Sequence, residues 1–254
     1  MLKVILARLQ QKHRTMKYPD AAPPALPDRF RGRPKVDLAK CAENCNACAT
    51  VCPTDAICLT GKPHIDLGKC LFCTDCAKAC VQNAISYSED YRMSVRQRQD
   101  LVVNHDQQEQ VLAAALDAKM KKLFGRSLKL RQVSAGGCNA CEADVNVLNT
   151  VGWDLGRFGI QFVASPRHAD GVLITGPVSN NMSLALQKTY DAVAAPKLVI
   201  VVGACAISGG MFCGHPEVKN GADTSLKVDL YIPGCPPHPL TILDGLLRLL
   251  GRIS

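Results

Sequence analysis

Residues 41–80 hold two runs, Cys41-Ala-Glu-Asn-Cys45-Asn-Ala-Cys48-Ala-Thr-Val-Cys52 and Cys70-Leu-Phe-Cys73-Thr-Asp-Cys76-Ala-Lys-Ala-Cys80. Nine of the fourteen cysteines in the 254-residue chain fall in this window, and eight of them form two sets of four. Closely spaced triplets, each followed four residues on by a fourth cysteine, let a loop wrap a cuboidal 4Fe-4S cluster, and the fourth thiolate can cross to the neighbouring cube. This arrangement assigns Cys41, Cys45, Cys48 and Cys80 to one cluster and Cys70, Cys73, Cys76 and Cys52 to a second. Zinc is the alternative ligand for paired C-x2-C units, but these triplets are poor zinc spacing.

Shifting the chain by 28 residues lays Cys45 on Cys73, Cys48 on Cys76, Cys52 on Cys80 and Ala56-Ile57 on Ala84-Ile85. One unit is used twice. Two departures mark the repeat: Cys41 sits one residue early, and Val81 stands where the first copy has Pro53. The unit expected over residues 37–90 is a small α+β domain of the bacterial-type two-cluster ferredoxin kind.

The length allows about two domains, and 47% hydrophobic content supports a core in at least one. No apolar run approaches the roughly 18 residues that span a bilayer, so the chain is expected to be soluble or peripheral. Met1 to Leu9 is too short, and lacks the small-residue cleavage site, to read as a secretory signal. Without export, fourteen cysteines point to metal ligands in a reducing cytoplasm and not to disulfides.

The formal charge of +8 is unevenly placed: +7 over residues 1–36, −3 over 37–90, +5 over 91–131 and −1 over 132–254. Three oxidised 4Fe-4S clusters with their twelve thiolates would add roughly −6, leaving a holoprotein near neutral. Leu2, Ile5, Leu6 and Leu9 recur at helical spacing with Lys3, Arg8, Lys12 and Arg14 around them. That pattern suits a basic amphipathic helix lying on an anionic membrane surface, or one docked on a partner subunit. No recognised nucleic-acid motif accompanies it, and no nucleic-acid partner is expected.

Residues 1–36 thus read as this helix followed by a proline-rich connector from Tyr18 to Pro34. Residues 91–126 read as a helical linker, with a helix-favouring run from Asp106 to Phe124. From Ser127 onward, candidate strands Leu128–Val133, Ile160–Ala164, Val172–Thr175, Leu198–Val202 and Val228–Ile232 alternate with candidate helices Glu142–Leu148, Met182–Val193 and Leu240–Leu250. Alternation of this kind predicts an α/β domain over 127–254 with a five-stranded, flavodoxin-like parallel sheet.

Four further cysteines gain meaning from that sheet. Cys138 and Cys141 follow its first strand, Cys205 its fourth and Cys235 its fifth. Ligands of open parallel sheets sit beyond the carboxyl ends of the strands, so these thiols are expected to converge on a third 4Fe-4S cluster. Glycines and prolines around them permit close approach of chain to cluster. Cys58, in the apolar Ile57–Leu59 segment, reads as core, and Cys213 shares a loop with Cys205 and could substitute for it. His64 and His215 are not needed as ligands.

Four segments carry a family resemblance: Gly136-Gly-Cys-Asn-Ala-Cys-Glu142, Ser165-Pro-Arg-His-Ala-Asp170, Gly203-Ala-Cys-Ala-Ile-Ser-Gly-Gly210 and Val228-Asp-Leu-Tyr-Ile-Pro-Gly-Cys-Pro-Pro237. They resemble the small subunit of membrane-associated, energy-converting nickel-iron hydrogenases of the formate hydrogenlyase type, relatives of the 20 kDa subunit of complex I. Tyr18-Pro19, Leu26-Pro-Asp-Arg-Phe-Arg-Gly-Arg-Pro34 and Cys70-Leu-Phe-Cys73 resemble a separate two-cluster ferredoxin subunit of the same complexes. The chain reads as a fusion of the two. Complex I small subunits carry adjacent cysteines at the first ligand position, whereas Cys138-x2-Cys141 is the hydrogenase arrangement.

The resemblance implies an oxidoreductase subunit that carries electrons and holds no catalytic residue of its own. Its third cluster would lie closest to a nickel-iron centre in a separate large subunit. Other implied partners are iron-sulfur or electron-donor subunits and antiporter-like membrane subunits, with the chain peripheral on the cytoplasmic side of the membrane. Arg167 and His168 could contact the large subunit or set cluster electrostatics, or form an ordinary surface loop. Glu142 could join a proton path or favour the positive end of a helix. Two other functions fit the same cysteines: the equivalent wire of a complex I-like quinone oxidoreductase, and an electron carrier whose large partner lacks nickel.

Overall fold

The structure, a computed structural model, describes residues 2–11, 14–60, 63–103 and 111–253. It opens on α1 (Leu2–Gln11), whose apolar residues face outward: Leu2 is 72% exposed and Leu9 68%. Lys12, expected to add charge to this helix, lies outside the described residues.

The cysteine-rich unit follows as β1 (Pro34–Val36), α2 (Ala47–Thr50), β2 (Ile57–Cys58), β3 (His64–Asp66), α3 (Asp75–Ala79) and β4 (Ile85–Tyr87). Strand β1 pairs antiparallel with β4, and β2 with β3. The 28-residue offset carries the start of α2 onto α3 and of β2 onto β4. It is visible even in the backbone: Asn44 and Phe72 share a left-handed φ (57° and 55°), as do Asp55 and Asn83 (49° each). Val81 is 90% exposed, so the proline missing from the second copy belongs to a solvated tip.

The segment expected as a helical linker is largely something else. Val95, fully buried, forms an antiparallel bridge to Tyr231, and β5 (Val102–Val103) adds a third strand beside β3. Of the helix expected over 106–124, residues 106–110 lie outside the described residues, and α4 spans only Ala118–Phe124. Asp117 starts it by accepting the Met120 N–H at 2.9 Å, a side-chain cap that marks where the helix begins. The residues before it spend their N–H groups elsewhere: Ala113 on Ser94 O and Leu116 on Leu249 O. The chain here is a strap bound to both units.

Beyond it come β6 (Leu128–Ser134), α5 (Ala140–Val147), β7 (Ile160–Phe162), β8 (Gly171–Thr175), α6 (Asn180–Ala192), β9 (Leu198–Val202), α7 (Ala204–Ser208), β10 (Leu230–Ile232) and α8 (Pro239–Leu249). All five strands are parallel, in the order β10-β9-β8-β6-β7, the flavodoxin-like arrangement. Strands β8 and β9 are buried at every residue, as central strands covered on both faces must be. Helices α5 and α6 start two residues ahead of the expected Glu142 and Met182. Strand β7 stops at Phe162, short of the expected Ala164. Strand β10 opens at Leu230, after the expected Val228, because the Asp229 carboxylate takes the Val199 N–H at 2.9 Å.

The two units share a core. One apolar cluster runs from Ile65, Leu67 and Leu101 to Val172, Ile174 and Ile207. Ser208 Oγ donates to Gly68 O at 2.9 Å, and a Cβ on Gly68 would come within 2.8 Å of Ile207 Cγ2. The connector is pinned as well: the Arg157 guanidinium donates to Met16 O and Tyr18 O at 2.5 and 2.6 Å.

Candidate functional site

The segments in and around α2 and α3 bring eight of the first nine cysteines around two cavities. Cys41, Cys45, Cys48 and Cys80 line one, of about 130 Å³, and Cys52, Cys70, Cys73 and Cys76 line the other. The fourth cysteine of each run therefore faces its neighbour's cavity. Each crossing thiol takes a backbone bond in the same place: Ala56 N–H donates to Cys52 Sγ and Ala84 N–H to Cys80 Sγ, both at 3.2 Å. Phe72 N–H reaches Cys70 Sγ at 3.3 Å, and the Tyr87 hydroxyl stands 3.5 Å from Cys76 Sγ. N–H donors of this kind favour a thiolate over a thiol.

Burial works the other way. It pushes the Cys70 thiol up to about 12, with Cys76 adding, and raises Cys76 and Cys48 too. Dense, half-dry thiols resist ionising together, and bound cations reverse that preference, so the donor set fits a metal-rich occupant. Among the described residues, no three His, Cys, Asp or Glu side chains converge to hold a single ion. The eight thiols line two cavities, a donor set that fits iron-sulfur ligation.

The remaining set forms at the carboxyl ends of β6, β9 and β10. Cys138 lies in the loop after β6 and Cys141 in the first turn of α5, Cys205 is the second residue of α7, and Cys235 follows β10. Ala204 N–H donates to Gly234 O at 2.8 Å, tying the last two loops together. The Cys141 thiol is pushed up by burial and then by Cys205, Glu142, Cys235 and Cys138. Burial, with Cys235 and Cys138, raises Cys205 to about 11. Four thiols spread over 97 residues of sequence thus feel one another's charge.

Two glycines make room. A Cβ on Gly203 (φ +92°) would lie 2.5 Å from Cys141 Sγ, and one on Gly210 (φ +54°) 2.7 Å from Cys205 Sγ. Only glycine satisfies both the left-handed backbone and the approach. Cys138 and Cys235 are exposed while Cys141 and Cys205 are half-buried, so this rim opens outward.

Cys235 is also raised by Cys73, after burial and Cys138. Both thiols line one cleft between the units, together with Arg29, Phe30, Asp144 and His238. His238 packs edge-on against Phe30 and Trp153, and burial lowers its imidazole. This neighbourhood of the second and third sets had no signature in the sequence.

Other residues fall into place. Cys58 is half-buried beside Thr60 Oγ1 at 3.1 Å, not in the core. Cys213 is exposed, and Cys205 keeps its place among the other three thiols without it. His64 pairs with Cys58 across β2 and β3, and His215 Nδ1 accepts from Glu217 N. Arg167 and His168 are exposed on the short turn between β7 and β8. Glu142 neither caps α5 nor faces solvent: its Oε1 accepts from Ser134 Oγ and Thr175 Oγ1. Sequence reasoning missed Tyr87, although the repeat offered a signal, since Leu59 holds the matching place in the first copy.

The family model described as NADH ubiquinone oxidoreductase, 20 Kd subunit, matches residues 138–249, from the first of the four C-terminal cysteines through α8. The probable membrane-bound hydrogenase subunit mbhJ of Pyrococcus furiosus is 38% identical over 137 residues, covering 54% of this chain and 82% of that protein. Formate hydrogenlyase subunit 7 of Escherichia coli is 41% identical over 56% of this chain and 55% of its own length. An NADH-quinone oxidoreductase subunit of Phocaeicola vulgatus is 40% identical over 57% of this chain and 72% of its own.

Proposed function

The chain belongs to the NADH ubiquinone oxidoreductase 20 kDa subunit family, and we propose that it is the electron-relaying small subunit of a membrane-associated nickel-iron hydrogenase, fused to a two-cluster ferredoxin domain. The observation that carries this reading is the placement of Cys138, Cys141, Cys205 and Cys235 at one rim of the sheet, with Cys235 and Cys73 lining one cleft. In this reading Cys41, Cys45, Cys48 and Cys80 hold one 4Fe-4S cluster, Cys70, Cys73, Cys76 and Cys52 a second, and the four rim thiols a third. When bound, such clusters supply one-electron transfer at potentials set by charge, hydrogen bonds to sulfur and solvent access.

The chain's own residues serve that chemistry in three ways. Ala56, Ala84 and Phe72 N–H groups and the Tyr87 hydroxyl supply hydrogen bonds to sulfur. Gly203 and Gly210 let the backbone close on the third set. The shared core and the strap hold the two units in one arrangement, keeping Cys73 and Cys235 at a common cleft. The second set is then the natural neighbour of the rim, and the exposed rim is the face presented to a large subunit that carries the nickel-iron centre.

Among the described residues no helix is long and apolar enough to cross a membrane. The outward apolar face of α1, with Lys3 and Arg8 on its flanks, supports peripheral contact with the cytoplasmic membrane surface. Electron-donor and antiporter-like membrane subunits complete the proposed assembly.

The likeness to the NADH-quinone oxidoreductase subunit of Phocaeicola vulgatus favours a second reading, a wire in a quinone-reducing complex. The test is the large chain that co-purifies with this one under anaerobic conditions. Nickel in that chain, with two C-x2-C pairs near its ends, is the expected result. A large chain without nickel or those pairs overturns the hydrogenase reading.

A further inference from the structure

Ser134 and Thr175 are the last residues of β6 and β8 and face each other in register. These strands flank the point where the sheet's order reverses, because β7 lies outside β6 while β9 and β10 continue beyond β8. In open parallel sheets the crevice at that point is where ligands are held. Here the protein fills it. Glu142 Oε1 accepts from Ser134 Oγ at 2.5 Å and from Thr175 Oγ1 at 2.6 Å, and Glu142 is 5% exposed. Glycine backbones close what remains: a Cβ on Gly176 would stand 2.5 Å from Gly137 N, and one on Gly137 3.1 Å from Gly176 Cα.

The loop that Glu142 anchors does not hold itself. Gly136 has φ +91°, and Asn139, the residue between the two thiols' turns, has φ +70°, a conformation that costs a side-chain-bearing residue energy. The Asn139 side chain makes no capping bond to α5. Glu142 is the third residue of α5 and follows Cys141 directly, so fixing its carboxylate fixes the first helical turn, which carries Cys141 and follows closely on Cys138. Ligand geometry tolerates only small errors, and supporting residues set it.

We propose that Glu142 is a positioning residue: by tying the first turn of α5 to the ends of β6 and β8, it holds Cys138 and Cys141 at the spacing the third cluster needs. The proposal rests on reading the four rim thiols as a 4Fe-4S site. What the tie requires is one oxygen with two lone pairs aimed at two hydroxyls, which a glutamine carbonyl also offers and an apolar side chain does not.

The test uses the anaerobically purified full chain, separated from its partner subunits, measuring iron and the electron paramagnetic resonance spectrum of each reduced cluster. Wild type should hold about twelve iron atoms per chain. Glu142→Gln should keep that count and the spectrum of the third cluster. Glu142→Leu should lose about four irons or shift that spectrum, with the signals of the two N-terminal clusters unchanged. The double variant Ser134→Ala, Thr175→Val should reproduce the Leu phenotype, and it decides the matter if Glu142→Leu does not accumulate. An unaltered third-cluster spectrum in the Leu and double variants overturns the positioning role, as does a Gln variant as damaged as Leu. A wild type with only about eight irons removes the third cluster itself, a distinct failure that takes the proposal with it.

Discussion

The Tyr18 hydroxyl donates a 2.9 Å hydrogen bond to Asp244 Oδ1, joining the N-terminal connector to the last helix across 226 residues. Asp244 Oδ2 accepts from Arg248 Nε at 2.8 Å, and all three side chains are buried. Burial, then the Asp244 carboxylate, pushes the Tyr18 hydroxyl far up, so it remains a donor at any working pH. Tyr18→Phe should cost about 1–3 kcal/mol by leaving a buried acceptor short of a partner. Asp244→Ala should cost more, about 3–5 kcal/mol, because it strands the Arg248 guanidinium. Denaturant unfolding of the holoprotein checks both, and equal effects would refute the ranking.

The two cavities predict which cluster each crossing cysteine serves. Cys80→Ser should disturb the cluster held by Cys41, Cys45 and Cys48, although Cys80 belongs to the other run. Cys52→Ser should disturb the one held by Cys70, Cys73 and Cys76. Paramagnetic resonance of the separately reduced clusters distinguishes them, and the opposite assignment would rule out crossing.

Gly203→Ala should be specific to the rim. Its Cβ would sit 2.5 Å from Cys141 Sγ, and φ +92° is unfavourable for alanine. Loss of about four irons per chain, with about eight retained, is the expected metal analysis. Full iron content would show that the loop can relax.

Asp90 and Arg92 give a pH signature. Burial raises the Asp90 carboxyl, but the Arg92 guanidinium and backbone N–H outweigh it and hold the group below its usual range. A depressed carboxyl contributes stability that is complete above the ordinary aspartate range and lost as pH falls through the depressed value. The Arg33 N–H, which bonds Asp90 O, reports locally. Its exchange should be slower in wild type than in Asp90→Asn at neutral pH, and the two should converge in acid. A gap that widens in acid would reverse the sign.

Deleting residues 2–11 should weaken binding of the complex to anionic vesicles by about tenfold or more, since the exposed apolar side chains of Leu2, Val4, Ile5, Leu6 and Leu9 leave together with Lys3 and Arg8. Vesicle flotation measures it. Unchanged flotation would assign α1 to a protein partner.

Much of this was legible in the residues. The 28-residue repeat announced two copies of one unit, and the copies recur down to the Ala56 and Ala84 N–H bonds onto Cys52 and Cys80. Strand and helix alternation announced the parallel sheet, because buried central strands such as Gly171–Thr175 leave little choice of residue type. Residues 91–126 misled for a physical reason. Helix propensity is a weak local preference, and Val95, Leu101 and Leu116 gain more by burying themselves against the sheet and α8 than the segment gains as a free helix. Glu142 was half legible: its place in the first turn of α5 was written in the sequence, while its hydroxyl partners come from β6 and β8.

The sequence alone set out the two N-terminal runs of four thiols, since spacing and repeat are local properties written in consecutive residues. Tertiary structure alone decided that Cys73 and Cys235 line one cleft, that Ser134 and Thr175 seize Glu142, and that Tyr18 reaches Asp244. Those pairs are made by strand order and by one shared core, and such long-range packing leaves no periodic trace along the chain.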